Sequence, residues 1–118
     1  MAKPEWMEGA PKPISSVLVA NRGEIACRII RACQEMEIEA IAIRSSSDEG
    51  ALHTEMADKV ISLPGESLGD TYLNSDAIID AAKSCGADAI HPGYGFLSER
   101  ADFAKSVISS GIIWIGPS

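Results

Sequence analysis

The sequence predicts an α/β fold built on a doubly wound, mostly parallel sheet of five strands. Three observations carry that expectation. Short apolar runs recur five times along the chain, each typical of a strand buried on both faces. Between them the apolar period lengthens to that of an amphipathic helix. Glycine, proline or a short polar cluster punctuates the boundaries. Alternating strands and helices of this kind form parallel sheets with right-handed crossovers and helices on both faces.

Residues 1–13, with three prolines and mixed charges, read as a flexible tail ahead of one domain spanning 14–118. Residues 17–20 (VLVA) form the first expected strand. Asn21 is placed to cap the following helix, with Glu24 three residues on to return the bond. Ile25, Ala26, Ile29, Ile30, Cys33 and Met36 then share one helical face, and Glu24, Arg28, Arg31 and Glu35 the opposite one. Residues 40–43 (AIAI) give the second strand. A polar stretch leads to a short helix near Leu52, and residues 60–63 give the third strand. Asn74 or Ser75 caps a helix carrying Ile78, Ile79 and Ala82, which Gly86 ends. Residues 88–91 form the fourth strand. A glycine-rich loop follows, and a helix starting near Ser98 buries Phe103, Ala104, Val107 and Ile108 before Gly111. Residues 112–115 (IIWI) are the fifth strand.

Composition narrows the function. A formal net charge of −7 argues against a nucleic-acid surface. No apolar run is long enough to span a membrane, and the N-terminus lacks a signal-peptide layout. Apolar residues make up 46% of the chain but aromatics only 5%, so aliphatic side chains must fill the core. Cys27, Cys33 and Cys85 are odd in number and lack CxxC spacing, which points to free thiols in a reducing compartment. With only His53 and His91 as histidines, no metal site is expected.

In doubly wound folds ligands bind beyond the carboxyl ends of the strands, where the strand order reverses. Three segments could lie there: 21–24, 45–48 and 92–99. The first lacks GxGxxG spacing, and Arg44 stands where a ribose-binding acid would end the second strand. A stand-alone nucleotide- or anion-binding module is therefore the alternative reading. In the third, two glycines flank Tyr94 and present a flat ring with a polar tip. Pattern alone leaves that loop open between a structural turn and a ligand site. Arg28, Arg31 and Glu35 form either a solvated face or a subunit contact.

Several segments together resemble the biotin carboxylases. Residues 17–30 (VLVANRGEIACRII), the 48–58 segment with Ala51-Leu52-His53 and Ala57-Asp58, Tyr72-Leu73-Asn74, HPGYGFLSE at 91–99 and IGPS at 115–118 match that family in order. Arg100 departs from a commoner Asn, and SERADFA looks more like pyruvate carboxylases than acyl-CoA carboxylases. Arg44-Ser45-Ser46 also departs from the commoner pattern after strand two.

The resemblance implies the small Rossmann-like domain that precedes an ATP-grasp module. The parent enzyme would be a ligase using ATP, Mg2+ and bicarbonate to carboxylate biotin on a carrier protein or domain. The ATP-grasp and C-terminal domains would lie outside this chain, which alone would be inactive, bind no cofactor and carry no catalytic residue. Tyr94 and Gly95 would lie on the biotin side, with Glu99 orienting the loop. Arg28, Arg31 and Glu35 would be a dimer contact in a homodimer or higher oligomer. The other domains and the biotin carrier would be its partners, in the cytoplasm or mitochondrial matrix.

Overall fold

Val17, Leu18 and Val19 alternate their side chains between two apolar layers, and that alternation sets the architecture. The computed structural model describes residues 14–48, 50–65, 67, 69–98 and 100–116. The expected tail, Glu99 and residues 117–118 lie outside the described residues. The chain runs β1 (Ser16–Val19), α1 (Gly23–Glu35), β2 (Glu39–Arg44), a 3₁₀ turn (Ser46–Asp48), α2 (Leu52–Met56), β3 (Lys59–Ser62), α3 (Ser75–Cys85), β4 (Ala89–His91), α4 (Ala101–Ser109) and β5 (Ile113–Trp114). The five strands are all parallel in the order β3-β2-β1-β4-β5. The doubly wound sheet read from the sequence is the sheet that forms.

Two cores follow from the period of two along each strand. Leu18, Ile41, Ile43 and Ile90 face Ile78 and Ala82 of α3 and Phe103 and Val107 of α4. Val17, Val19, Ala40, Ala42 and Ala89 face Ala26, Ile30 and Cys33 of α1. Small alanines on this second face let α1 approach the sheet closely. Asn74 caps α3 by accepting from the Ala77 amide at 3.1 Å, and Gly86 ends it in the left-handed region at φ 71°. Cys27 and Cys33 are buried, and all three cysteines are free thiols.

Three expectations need correction. Met36 is 70% exposed, because α1 stops at Glu35 and Met36 becomes its C-cap. Ile108 is 59% exposed. It lies about 140° around α4 from Phe103, at the edge of the buried stripe. That helix starts at Ala101, since Ser98 belongs to a turn closed by its own amide on the Gly95 carbonyl at 2.9 Å.

Beside α1 an apolar groove of about 700 Å³ remains, lined by Ile14, Ile29, Met36, Ile38, His91 and Ile115. Parallel sheets are ordinarily covered on both faces.

Candidate functional site

The strand order reverses between β1 and β4, so their carboxyl ends flank the crevice where doubly wound folds bind ligands. Here that crevice is filled by Asn21, only 2% exposed. Its Nδ2 donates to the Pro92 carbonyl at 2.9 Å and to the Tyr94 carbonyl at 2.7 Å. Its Oδ1 accepts from the Arg22 amide at 2.8 Å. Asn21 is therefore not the helix cap expected from its spacing to Glu24. Arg22 holds the N-cap position, and no side chain bonds there. The reason is solvation: Gly23 and Glu24 are exposed, so water can satisfy the first amides of α1, whereas the Pro92 carbonyl is buried and needs a donor.

Tyr94 stands just past the end of β4 and is 76% exposed. Gly93 and Gly95, both at φ +67°, make the sharp turns on either side. A Cβ on Gly93 would meet Asn21 Nδ2 at 2.7 Å and Ile25 at 3.0 Å, so only glycine fits against the crevice. The Gly93 amide donates to His91 Nδ1 at 3.1 Å, which fixes that nitrogen as an acceptor. Burial holds the His91 imidazole below its ordinary pKa. The loop thus displays one aromatic ring while its backbone is tied down. Of the expected biotin-side residues, Tyr94 and Gly95 share this loop, and Glu99 lies outside the described residues.

Beneath the loop lies a polar cluster that sequence reasoning missed. Phe96 stacks on Tyr72, which is fully buried. The Tyr72 hydroxyl donates to Asp48 Oδ2 at 2.6 Å. Asp48 also accepts from the Ser45 amide at 3.2 Å and the Ser45 hydroxyl at 3.0 Å, and pairs with Arg22. The Arg22 guanidinium lies over the Tyr72 ring, 5.6 Å from its centroid. His53 Nε2 donates to the Ile43 carbonyl at 3.1 Å. Burial pushes the Asp48 carboxyl up, but the Tyr72 and Ser45 donors and the Arg22 charge outweigh it and hold the group below the usual carboxylate range. Burial and the Asp48 acceptor push the Tyr72 hydroxyl above its ordinary value. Its buried polar atoms all have partners, and the cluster joins the ends of β1 and β2 to the segment before α3.

Arg28 and Arg31 line a second groove of about 590 Å³ beside Arg22, Asp48, Leu52 and His53. Glu35 is exposed farther along the same helix. Among the described residues no group of three His, Cys, Asp or Glu could hold a metal ion, and no helix is long and apolar enough to cross a membrane.

The five-stranded parallel sheet agrees with the comparisons. The family model described as "Biotin carboxylase, N-terminal domain" matches residues 13–118. The chain belongs to this family. As a biotin carboxylase N-terminal domain it is 50% identical over 109 residues to the Mycobacterium leprae biotin-dependent acyl-coenzyme A carboxylase alpha3 subunit, covering 92% of the chain and 18% of that protein. The biotin carboxylase domain dimer of Hydrogenobacter thermophilus 2-oxoglutarate carboxylase, solved with MgADP, ADP and bicarbonate, superposes with a TM-score of 0.86 at 50% identity, covering 91% of the chain and 23% of its counterpart. The Rhizobium etli pyruvate carboxylase gives 0.84 at 47%, covering 91% and 11%. The chain thus spans about a fifth of the length of the curated relatives it matches. Comparable identities to carboxylases named for three different acceptors show that a biotin carboxylase N-terminal domain carries little information about the acceptor.

Proposed function

We propose that this domain forms one wall of the biotin-carboxylation site of a longer, ATP-dependent biotin carboxylase. The observation that carries this reading is the exposed Tyr94 ring, presented at the carboxyl edge of a parallel sheet by two glycines and tied-down carbonyls. A flat phenol with an accessible face suits a planar ureido ring, and Gly95 leaves room for its approach. Glu99 would orient the same loop.

ATP, Mg2+ and bicarbonate belong, in this reading, to the modules beyond this domain. The residues present do not fit a triphosphate. Asn21 fills the crevice, Glu24 flanks the start of α1, and Arg22 is committed to Asp48. Biotin reaches the site on a carrier protein or domain. The neighbouring modules dock along the apolar groove beside α1, whose rim includes Ile115 at the end of β5. Three free thiols fit the cytoplasm or mitochondrial matrix.

Arg28, Arg31 and Glu35 supply a homodimer contact in the same enzyme, supported by their exposure on one face of α1 beside the exposed Leu52. Charge reversal Arg31→Glu should shift the sedimentation of the full-length enzyme toward monomer.

The deciding experiment replaces Tyr94 by Ala in the full-length enzyme and follows biotin-dependent ATP hydrolysis. A raised KM for biotin with an unchanged KM for ATP supports the reading, and an unchanged KM for biotin overturns it. The isolated chain should show no biotin-dependent ATP hydrolysis.

A further inference from the structure

We infer that Asn21 is a positioning residue for the Tyr94 loop, an assignment that rests on that loop being the biotin side of the site. Asn21 lies two residues past the end of β1, and both its amide hydrogens cross to the other side of the crevice, one to the Pro92 carbonyl and one to the Tyr94 carbonyl. The orientation of the carboxamide is fixed from behind, because the Arg22 amide needs an oxygen and takes Oδ1. Every donor and the acceptor of this side chain are therefore used. The second bond holds the peptide of Tyr94 itself, and with it the backbone from which the phenol ring projects. The close fit of Gly93 against Asn21 prevents the loop from sliding inward.

No other side chain has a hydrogen bond to the Tyr94 backbone among the described residues. Phe96 anchors the far end of the loop on Tyr72. Between the held Tyr94 carbonyl and Phe96 lies only Gly95, so a lost Asn21 bond is felt at Tyr94 and not averaged over a long segment. Asn21 itself stays in the crevice and touches no substrate.

Asn21→Asp keeps the size and replaces both donors with an oxygen facing two carbonyl oxygens. Asn21→Ser removes the reach and admits water, a milder change that keeps the test valid where the aspartate variant folds poorly. The first measurement is an amide NMR comparison of this chain with each variant. Shifts at Gly93, Tyr94 and Gly95, with the α3 and α4 amides in place, are expected. Unmoved loop amides overturn the assignment.

The second measurement is steady-state kinetics of the full-length enzyme carrying the same substitutions beside Tyr94→Ala. The KM for biotin should rise by about tenfold, the scale of losing one or two neutral hydrogen bonds, with the KM for ATP unchanged. A rise in Tyr94→Ala alone overturns the role of Asn21 and leaves the biotin-side reading standing. No rise in Tyr94→Ala overturns that reading, and the assignment falls with it.

Discussion

Phe96 lies against Tyr72 with ring centroids 5.4 Å apart and planes inclined by 27°, so the displayed loop rests on the ring whose hydroxyl binds Asp48. Among the described residues of this loop, Phe96 is the one non-glycine at positive φ, +50°. Such a backbone persists only where the surroundings hold it, and the stack on Tyr72 is one contact that does so.

Tyr72→Phe separates the two contacts. It keeps the ring stack and removes the donor to a buried carboxylate. A hydrogen bond to a charged group contributes about 2 kcal/mol, so urea melts should show a loss of that order. The Tyr94 ring resonances should stay in place, because the stack survives.

Asp48 makes the cluster sensitive to acid. Its folded pKa lies below the ordinary carboxylate value, so the folded state holds the charge more strongly than the unfolded chain does. The resulting stability is present above the unfolded value of about 3.9 and is lost as pH falls through the lower folded value. Asp48→Asn removes the charge and leaves Arg22 without its partner. At pH 7 the variant should be less stable by about 1–3 kcal/mol. The gap between variant and parent should close as urea melts are repeated down to acid pH.

His91 acts in a different window with the same sign. Burial depresses its pKa, so the unfolded state binds the proton first as pH falls. Stability associated with the neutral ring is complete above the unfolded value of about 6.5 and declines as pH drops toward the folded value. A proton on Nδ1 would also cost the Gly93 amide its acceptor. The protection factor of the Gly93 amide should fall as pH drops through the depressed folded value, and His91→Gln should flatten the stability profile on the acid side.

The sheet was legible because a strand buried on both faces needs a continuous apolar run, and β1, β2 and β4 each supply one. Gly86 and Asn74 were legible because caps are local. Asn21 was misread for the same reason. Its spacing to Glu24 satisfies the local rule for a cap, but its true partners lie 71 and 73 residues away across the sheet. Arg22, Asp48, His53 and Tyr72 share no period and come from four segments, so only the topology brings them together. One signal was available: in a chain so poor in aromatics, a tyrosine ahead of a capped helix has few reasons to be exposed. Tyr94 could be named as displayed from its flanking glycines, whereas what holds its backbone could not.

The groove beside α1 sets the behaviour of the isolated domain. Met36 is largely exposed, and Ile14, Ile29, Ile38 and Ile115 line a continuous apolar channel of about 700 Å³ beside it. Contiguous exposed apolar surface rimmed by polar residues marks sites where other chains or modules dock. In a preparation of this chain alone a second copy is the available partner, so sedimentation velocity should show self-association that increases with concentration. Ile29→Glu places a charge inside the channel and Met36→Lys places one on its rim. Both should shift the chain toward monomer, Ile29→Glu at a greater cost in stability because Ile29 also packs against the α1 core. A chain that sediments as a monomer throughout, with or without these substitutions, would show that the channel is not sticky enough to require a cover.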